Sequence, residues 1–268
     1  MPQPLSKRHH AGLHWSPPET SWHAARSMLV PVSIAELARA VSLFPLAFVD
    51  TGGSPTLHAI LGLDEGQCAY VDNKGRWRAP YRPNWLATHP FYLARDEQGQ
   101  YVVAVDENAP ELSTDAVSGE PLFDGNGEPS AGVQENIARL KELARQLVHT
   151  AHAATALARA GVLVPWSPRV HVGSTARRLE GLQRVDENAL QALPSESLAH
   201  LRDAGALGLA YAQLLSTEQI RILQNQVHMR RNEQASTPAI EDMLGTPGDE
   251  QQFDWGALSA NDDPPNTD

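Results

Sequence analysis

The sequence predicts an α+β fold, an N-terminal antiparallel β meander or small barrel followed by a mainly helical half. Three observations predict it. Short apolar runs in the first half are separated by turns that contain Gly, Asp and Asn. No long crossover helix lies between those runs, which argues against a parallel dinucleotide-binding sheet. Beyond Ser130 the apolar residues recur at the three-four spacing of a helix.

Residues 1–30 are rich in His, Trp, Ser and Pro and carry no period, so they read as an extended arm. Trp15 and Trp22 offer the apolar area that would anchor it on a neighbouring surface. Ser33-Ile34-Ala35-Glu36 is a capping box. Ile34, Leu37, Ala38 and Val41 follow at helical spacing until Pro45 stops the helix. Strands are expected at Leu46 to Val49, Leu57 to Leu63, Ala69 to Val71, Phe91 to Ala94 and Tyr101 to Val105. The turns between them end in or near a glycine, which supplies the positive φ that tight hairpins require.

Ser118 to Ser130 reads as a flexible connector. Gln134 to Ala160 then forms one long helix, with Ile137, Leu140, Ala144, Leu147, Ala151, Ala154 and Ala158 on one face and Gly161 as its stop. Its Ala-rich second half permits close approach of another helix. Arg169 to Val172 and Arg177 to Val185 read as a hairpin around Gly173-Ser174-Thr175. Leu198 to Met229 reads as two or three helices, restarted by a second capping box at Ser216 to Gln219.

The 268 residues suffice to bury a core without disulfides, and the single Cys68 excludes a disulfide framework and any all-cysteine metal site. Of the net charge of −11, nine charges lie between Asn232 and Asp268, a stretch with no Lys or Arg. The first 231 residues therefore carry only −2, and no basic footprint for nucleic acid exists in either part. The expected organisation is an arm over 1–30, an α+β domain over 31–230 and an acidic disordered tail over 231–268. No apolar run of signal-peptide or membrane-span length is present, so the expected location is the cytoplasm.

No nucleophile elbow, zinc-protease helix motif, P-loop or complete dinucleotide fingerprint occurs, so the residues make no positive case for an enzyme. His149 and His152 lie three apart on the long helix but have no third ligand at a fitting spacing. His9, His10, His14 and His23 fall in the arm, where a defined coordination geometry is not expected. Neither a metal nor a cofactor is expected. Cys68 has no basic neighbour to lower its pKa and reads as a buried structural thiol. Asp106-Glu107-Asn108 reads as a turn and cap, because adjacent strand residues point to opposite faces.

Two segments stand out as partner-binding candidates. In the crossing between the third and fourth strands, Arg76, Arg78 and Arg82 interleave with Trp77, Tyr81 and Trp85 and with two prolines. This composition fits a cation–π and stacking surface, and equally a rigid crossing whose aromatics plug the sheet's open end. In the acidic tail, Phe253, Trp255 and Leu258 have no core to serve and could fill pockets on a partner, or else be incidental residues of a solvated tail.

Several stretches resemble the SapC family of bacterial proteins. They include Phe44-Pro45-Leu46-Ala47-Phe48-Val49, Ile60-Leu61-Gly62-Leu63, Gly75-Arg76-Trp77, Ala79-Pro80-Tyr81-Arg82-Pro83, His89-Pro90-Phe91, Gly119 to Asp124 and Leu179 to Asp186. The similarity runs in order over residues 9 to 225 and stops before the tail. The resemblance implies an association with paracrystalline surface layers or another envelope assembly, and it brings no catalytic residues with it. The expected function is thus that of a non-enzymatic accessory or assembly protein that binds another protein. The alternative is an enzyme or enzyme partner acting on peptides, with the arginines gathering a carboxylate.

Overall fold

Residues 3–95, 101–115, 117, 119–173 and 175–236 are described by the computed structural model. The first stretch contains β1 (Gln3–Pro4), α1 (Lys7–His10), β2 (His14–Trp15), a 3₁₀ turn (Trp22–Ala24), β3 (Leu29–Pro31) and a second 3₁₀ turn (Ile34–Glu36) that runs into α2 (Leu37–Ala40). Then come β4 (Leu46–Asp50), β5 (Pro55–Ile60), α3 (Asn84–Ala87), β6 (Phe91–Arg95), β7 (Tyr101–Val105), β8 (Leu112–Ser113) and β9 (Glu120–Pro121). The second half holds α4 (Ala131–Arg159), β10 (Leu163–Trp166), β11 (Arg169–Val172), β12 (Thr175–Arg178), β13 (Leu182–Val185), α5 (Glu187–Gln191), α6 (Ser195–Asp203), α7 (Ala206–Ser216) and α8 (Gln219–Ser236). Antiparallel sheets followed by helices make the fold α+β.

None of the sheets formed by the described residues closes into a barrel. The main sheet has the order β10-β13-β4-β5-β3, so two of its five strands come from the second half of the chain. The β4–β5 hairpin forms as its turn chemistry predicts: Gly53 N–H donates to Asp50 Oδ1, and Gly52 and Gly53 take positive φ. Two expectations are corrected here. Ala69 to Val71 is not a strand, since Val71 makes one bridge, to Trp77. The expected hairpin after α4 divides: β11 pairs with β12, while β13 turns away to join β4 and β10. β13 has apolar side chains, Leu182 and Val185, that are buried in the larger core.

β6 and β7 form a separate sheet with β1, and β2 lies between β8 and β9 in another. Residues near the N-terminus are thus hydrogen-bonded into the structure. Leu5 N donates to Val103 O, Ser21 N to Gly75 O and Cys68 N to Ala25 O. Trp15 is buried, meeting Phe91 edge-on at 5.4 Å, whereas Trp22 is 50% exposed. Within 119–130, the expected flexible connector is instead ordered by Leu122, which is buried, and by Asp124, whose Oδ1 accepts from Asn126 and Glu128 N–H.

Two hydrophobic clusters form among the described residues. The larger gathers Phe44, Phe48, Leu57 and Ile60 with Ala153, Ala154 and Leu157 of α4 and Leu209 and Ala210 of α7. The smaller contains Trp15, Phe91, Val105 and Leu122 with Val133 and Leu140 of α4. One helix therefore serves both cores, its bulky first half filling one and its alanine-rich second half allowing α7 to approach in the other. Met1–Arg231 is one compact unit. Asn232–Asp268 forms a second, of which the last residues of α8 are described.

Candidate functional site

Tight local bonding opens the arginine-rich crossing. Asp72 Oδ1 accepts the backbone N–H of Lys74 and Arg76, and Oδ2 accepts Arg76 Nε at 2.8 Å. Burial alone would raise this carboxyl, but the bonds from Arg76 and Lys74 outweigh it and hold it at about 2. Trp77 then stacks on Tyr70 at 5.8 Å and donates Nε1–H to Tyr81 O at 2.9 Å.

Glu36 anchors the far end of the crossing. It is wholly buried, and its Oε2 accepts Ser33 N–H at 3.0 Å, one of the two bonds of the capping box, and also Ser33 Oγ–H at 2.7 Å. Its Oε1 reaches across the chain to accept the Tyr81 hydroxyl and the Asn84 N–H. Burial and the bond to Glu36 push the Tyr81 hydroxyl well above its ordinary value. The Arg39 guanidinium lies 4.4 Å from the centre of the Tyr81 ring, on its face.

The six predicted crossing residues therefore have different settings. Trp77, Tyr81 and Trp85 are half-buried against the larger core. Arg82 is half-buried and donates Nη1–H to Ser21 Oγ at 3.1 Å; burial lowers its pKa. Arg78 is half-buried, with its N–H on Tyr70 O. Arg76 is the exposed one. Phe253, Trp255 and Leu258 lie outside the described residues, as does the rest of 237–268.

His23, which sequence reasoning set aside with the arm, meets His89 and Glu111, neither of which that reasoning marked as a candidate ligand. The imidazoles of His23 and His89 stack 4.1 Å apart and 6° from parallel. His89 Nε2 lies 3.1 Å from Glu111 Oε2, and its Nδ1 lies 2.8 Å from the Tyr92 hydroxyl. His23 Nε2 lies 3.0 Å from Leu86 O, while its buried Nδ1 has no hydrogen-bond partner. Burial, with His89 beside it, lowers His23 to about 4 and leaves it neutral at neutral pH. Burial and the carboxylates of Asp106 and Glu111 raise Tyr92 to about 12. Among the described residues, this is where three metal-ligating side chains converge. His149 and His152 are both exposed on α4.

Other candidates have structural partners. Cys68 is buried and raised to about 11, chiefly by burial, so it holds little thiolate. Glu107 Oε1 lies 3.0 Å from Nε2 of the wholly buried His10, and Asp106 caps Asn108. An open groove of about 660 Å³ between α4 and α6 is lined by Arg159, Ser197 and the exposed His152 and His200.

α7 carries no charged residue, and its inward face mixes apolar Ala206, Leu209 and Ala210 with two polar side chains. Its polar residues Gln213 and Ser216 are wholly buried. Gln213 accepts Val185 N–H at 2.9 Å and donates to Leu46 O at 3.1 Å, while Ser216 Oγ accepts Leu46 N–H at 3.0 Å. They satisfy backbone groups where β13 and β4 have parted, since those strands pair only at Leu182–Val49 and Gln183–Phe48. Outward, α7 presents Tyr211, 47% exposed, and Leu215, 70% exposed. On α8, Ile222 and Met229, one heptad apart, are also exposed. No described helix is long and apolar enough to cross a membrane.

Comparison with known proteins places these features in a family without assigning them a role. No curated protein and no solved structure matches the chain. Residues 5–223, which include the crossing, the histidine pair and α7, match the family model described as SapC, and the chain belongs to the SapC family.

Proposed function

We propose that this chain is a non-enzymatic accessory protein that binds another protein through the outer face of α7. The observation that carries this reading is the uncharged outer face of that helix, with large apolar side chains in water. Between Ala206 and Ser216 there is no charged residue, the strongest hydrogen-bonding side chains face inward, and Tyr211 and Leu215 face out. A helix apolar on every side belongs in an interior. Here one side is buried in the protein's own core, and the other presents the kind of aromatic and aliphatic anchors that fill a partner's groove. The crossing supports the reading less directly, because its aromatics are engaged with the core and Arg76 is its exposed cation. The family's name makes an envelope or surface-layer fraction the first place to seek the partner.

A photo-crosslinking amino acid placed at Leu215 of the full chain in the native cell tests this. The expected result is a recurrent adduct with one protein of different sequence. That adduct should be lost when Tyr211→Glu is added, with the melting temperature unchanged. Adducts with a second copy alone, or none, would overturn it.

A further inference from the structure

We infer that His23, His89 and Glu111 form a binding site for a divalent transition-metal ion of the zinc class. One ligand atom from each residue lies within 4.8 Å of the other two. Two imidazoles and one carboxylate are a donor set suited to zinc, with a fourth position left for water. Donor atoms around a tetrahedral zinc stand about 3.3 Å apart, from zinc–nitrogen bonds of about 2.0–2.1 Å. His89 Nε2 and Glu111 Oε2 already stand 3.1 Å apart. Drawing in His23 requires its ring to tilt out of the parallel stack with His89.

The outer contacts agree with that role. A metal-bound histidine uses its second ring nitrogen to donate to an oxygen, which fixes the tautomer. His23 has Leu86 O at 3.0 Å from Nε2, and this leaves the lone pair on Nδ1. His89 has the Tyr92 oxygen at 2.8 Å from Nδ1, and this leaves Nε2 for the ion. His23 Nδ1 is buried without a hydrogen-bond partner, which calls for a water or an ion. His89 and Glu111 are 5% and 8% exposed, so they are largely shielded from bulk solvent. The three residues also come from three separate segments: the Trp22–Ala24 turn, the approach to β6 and the approach to β8. An ion here would fasten the N-terminal residues to both of the later segments.

The test is titration of the full, metal-stripped chain with Co²⁺, followed by its visible d–d absorption, and with Zn²⁺, followed by calorimetry and melting. One ion per chain is expected, with a rise in melting temperature. His23→Asn and Glu111→Gln should each lower Zn²⁺ affinity by at least tenfold while the far-ultraviolet dichroism stays as in the parent. Tyr92→Phe should lower it by about tenfold through the outer contact alone. The double change His152→Ala with His200→Ala should leave it intact. Absence of uptake by the parent chain would overturn the inference. So would uptake that survives His23→Asn and Glu111→Gln but is lost in the His152/His200 variant.

Discussion

The Tyr81 hydroxyl donates to the Glu36 carboxylate across 45 positions of sequence, and it does so in a site where Glu36 has no exposure to water. The same carboxylate holds Ser33 at the start of its own helical turn and Asn84 at the start of α3. A single buried acid thus fastens both the capping box and the arginine-rich crossing.

Removing one donor from Glu36 should be costly but survivable. Tyr81→Phe is expected to lower stability by about 1–3 kcal/mol, the cost of leaving a buried acceptor short of a partner. Glu36→Ala strands Ser33, Tyr81 and Asn84 together and should cost about 3–5 kcal/mol, in the range seen when a buried charged network loses a member. Urea unfolding of the three proteins measures both, and equal midpoints would contradict the anchoring role.

Gln213 should behave as a structural residue despite being polar on a helix. Gln213→Leu keeps the volume but leaves Leu46 O and Val185 N–H unpaired in the core, a loss of about 2–4 kcal/mol from the two orphaned groups. Leu215→Ala on the same helix should change stability by less than about 1 kcal/mol, because the side chain is mostly in water. A reversal of that order in thermal melts would mean that α7 is turned the other way.

The two arm tryptophans should differ. Trp15→Ala opens a void in the smaller core and should cost about 3–5 kcal/mol. Trp22→Ala, at a half-exposed ring that covers Gly75, should cost about 1 kcal/mol. Denaturant midpoints of the single variants decide it.

Acid should release Asp72. Its folded pKa, about 2, lies below the unfolded value near 4, so its contribution is present above pH 4 and is lost as pH falls from 4 towards 2. Because Arg76 is largely exposed, solvent screening reduces that contribution to about 1 kcal/mol. Asp72→Asn should be less stable than the parent at pH 7, and the difference should shrink below pH 3. A gap that stays constant between pH 7 and pH 2.5 would show that the charge is irrelevant.

What the sequence by itself determined is the local architecture. The capping box at Ser33 and Glu36, the β4–β5 hairpin and the long α4 were legible because each rests on contacts within a few residues: a cap, a glycine turn, an i to i+4 ladder. Family membership was legible for a similar reason, since it is carried by short ordered stretches. Only the tertiary structure decided that β13 leaves its expected hairpin to pair with β4, because strand partners are chosen by which apolar face needs burial, and that face lies more than a hundred residues away. It likewise decided that Gln213 points inward, that Glu36 spends its second oxygen on Tyr81 and Asn84, and that His23 meets His89 and Glu111. In each case a buried polar atom must find a partner at whatever sequence distance the packed chain supplies one.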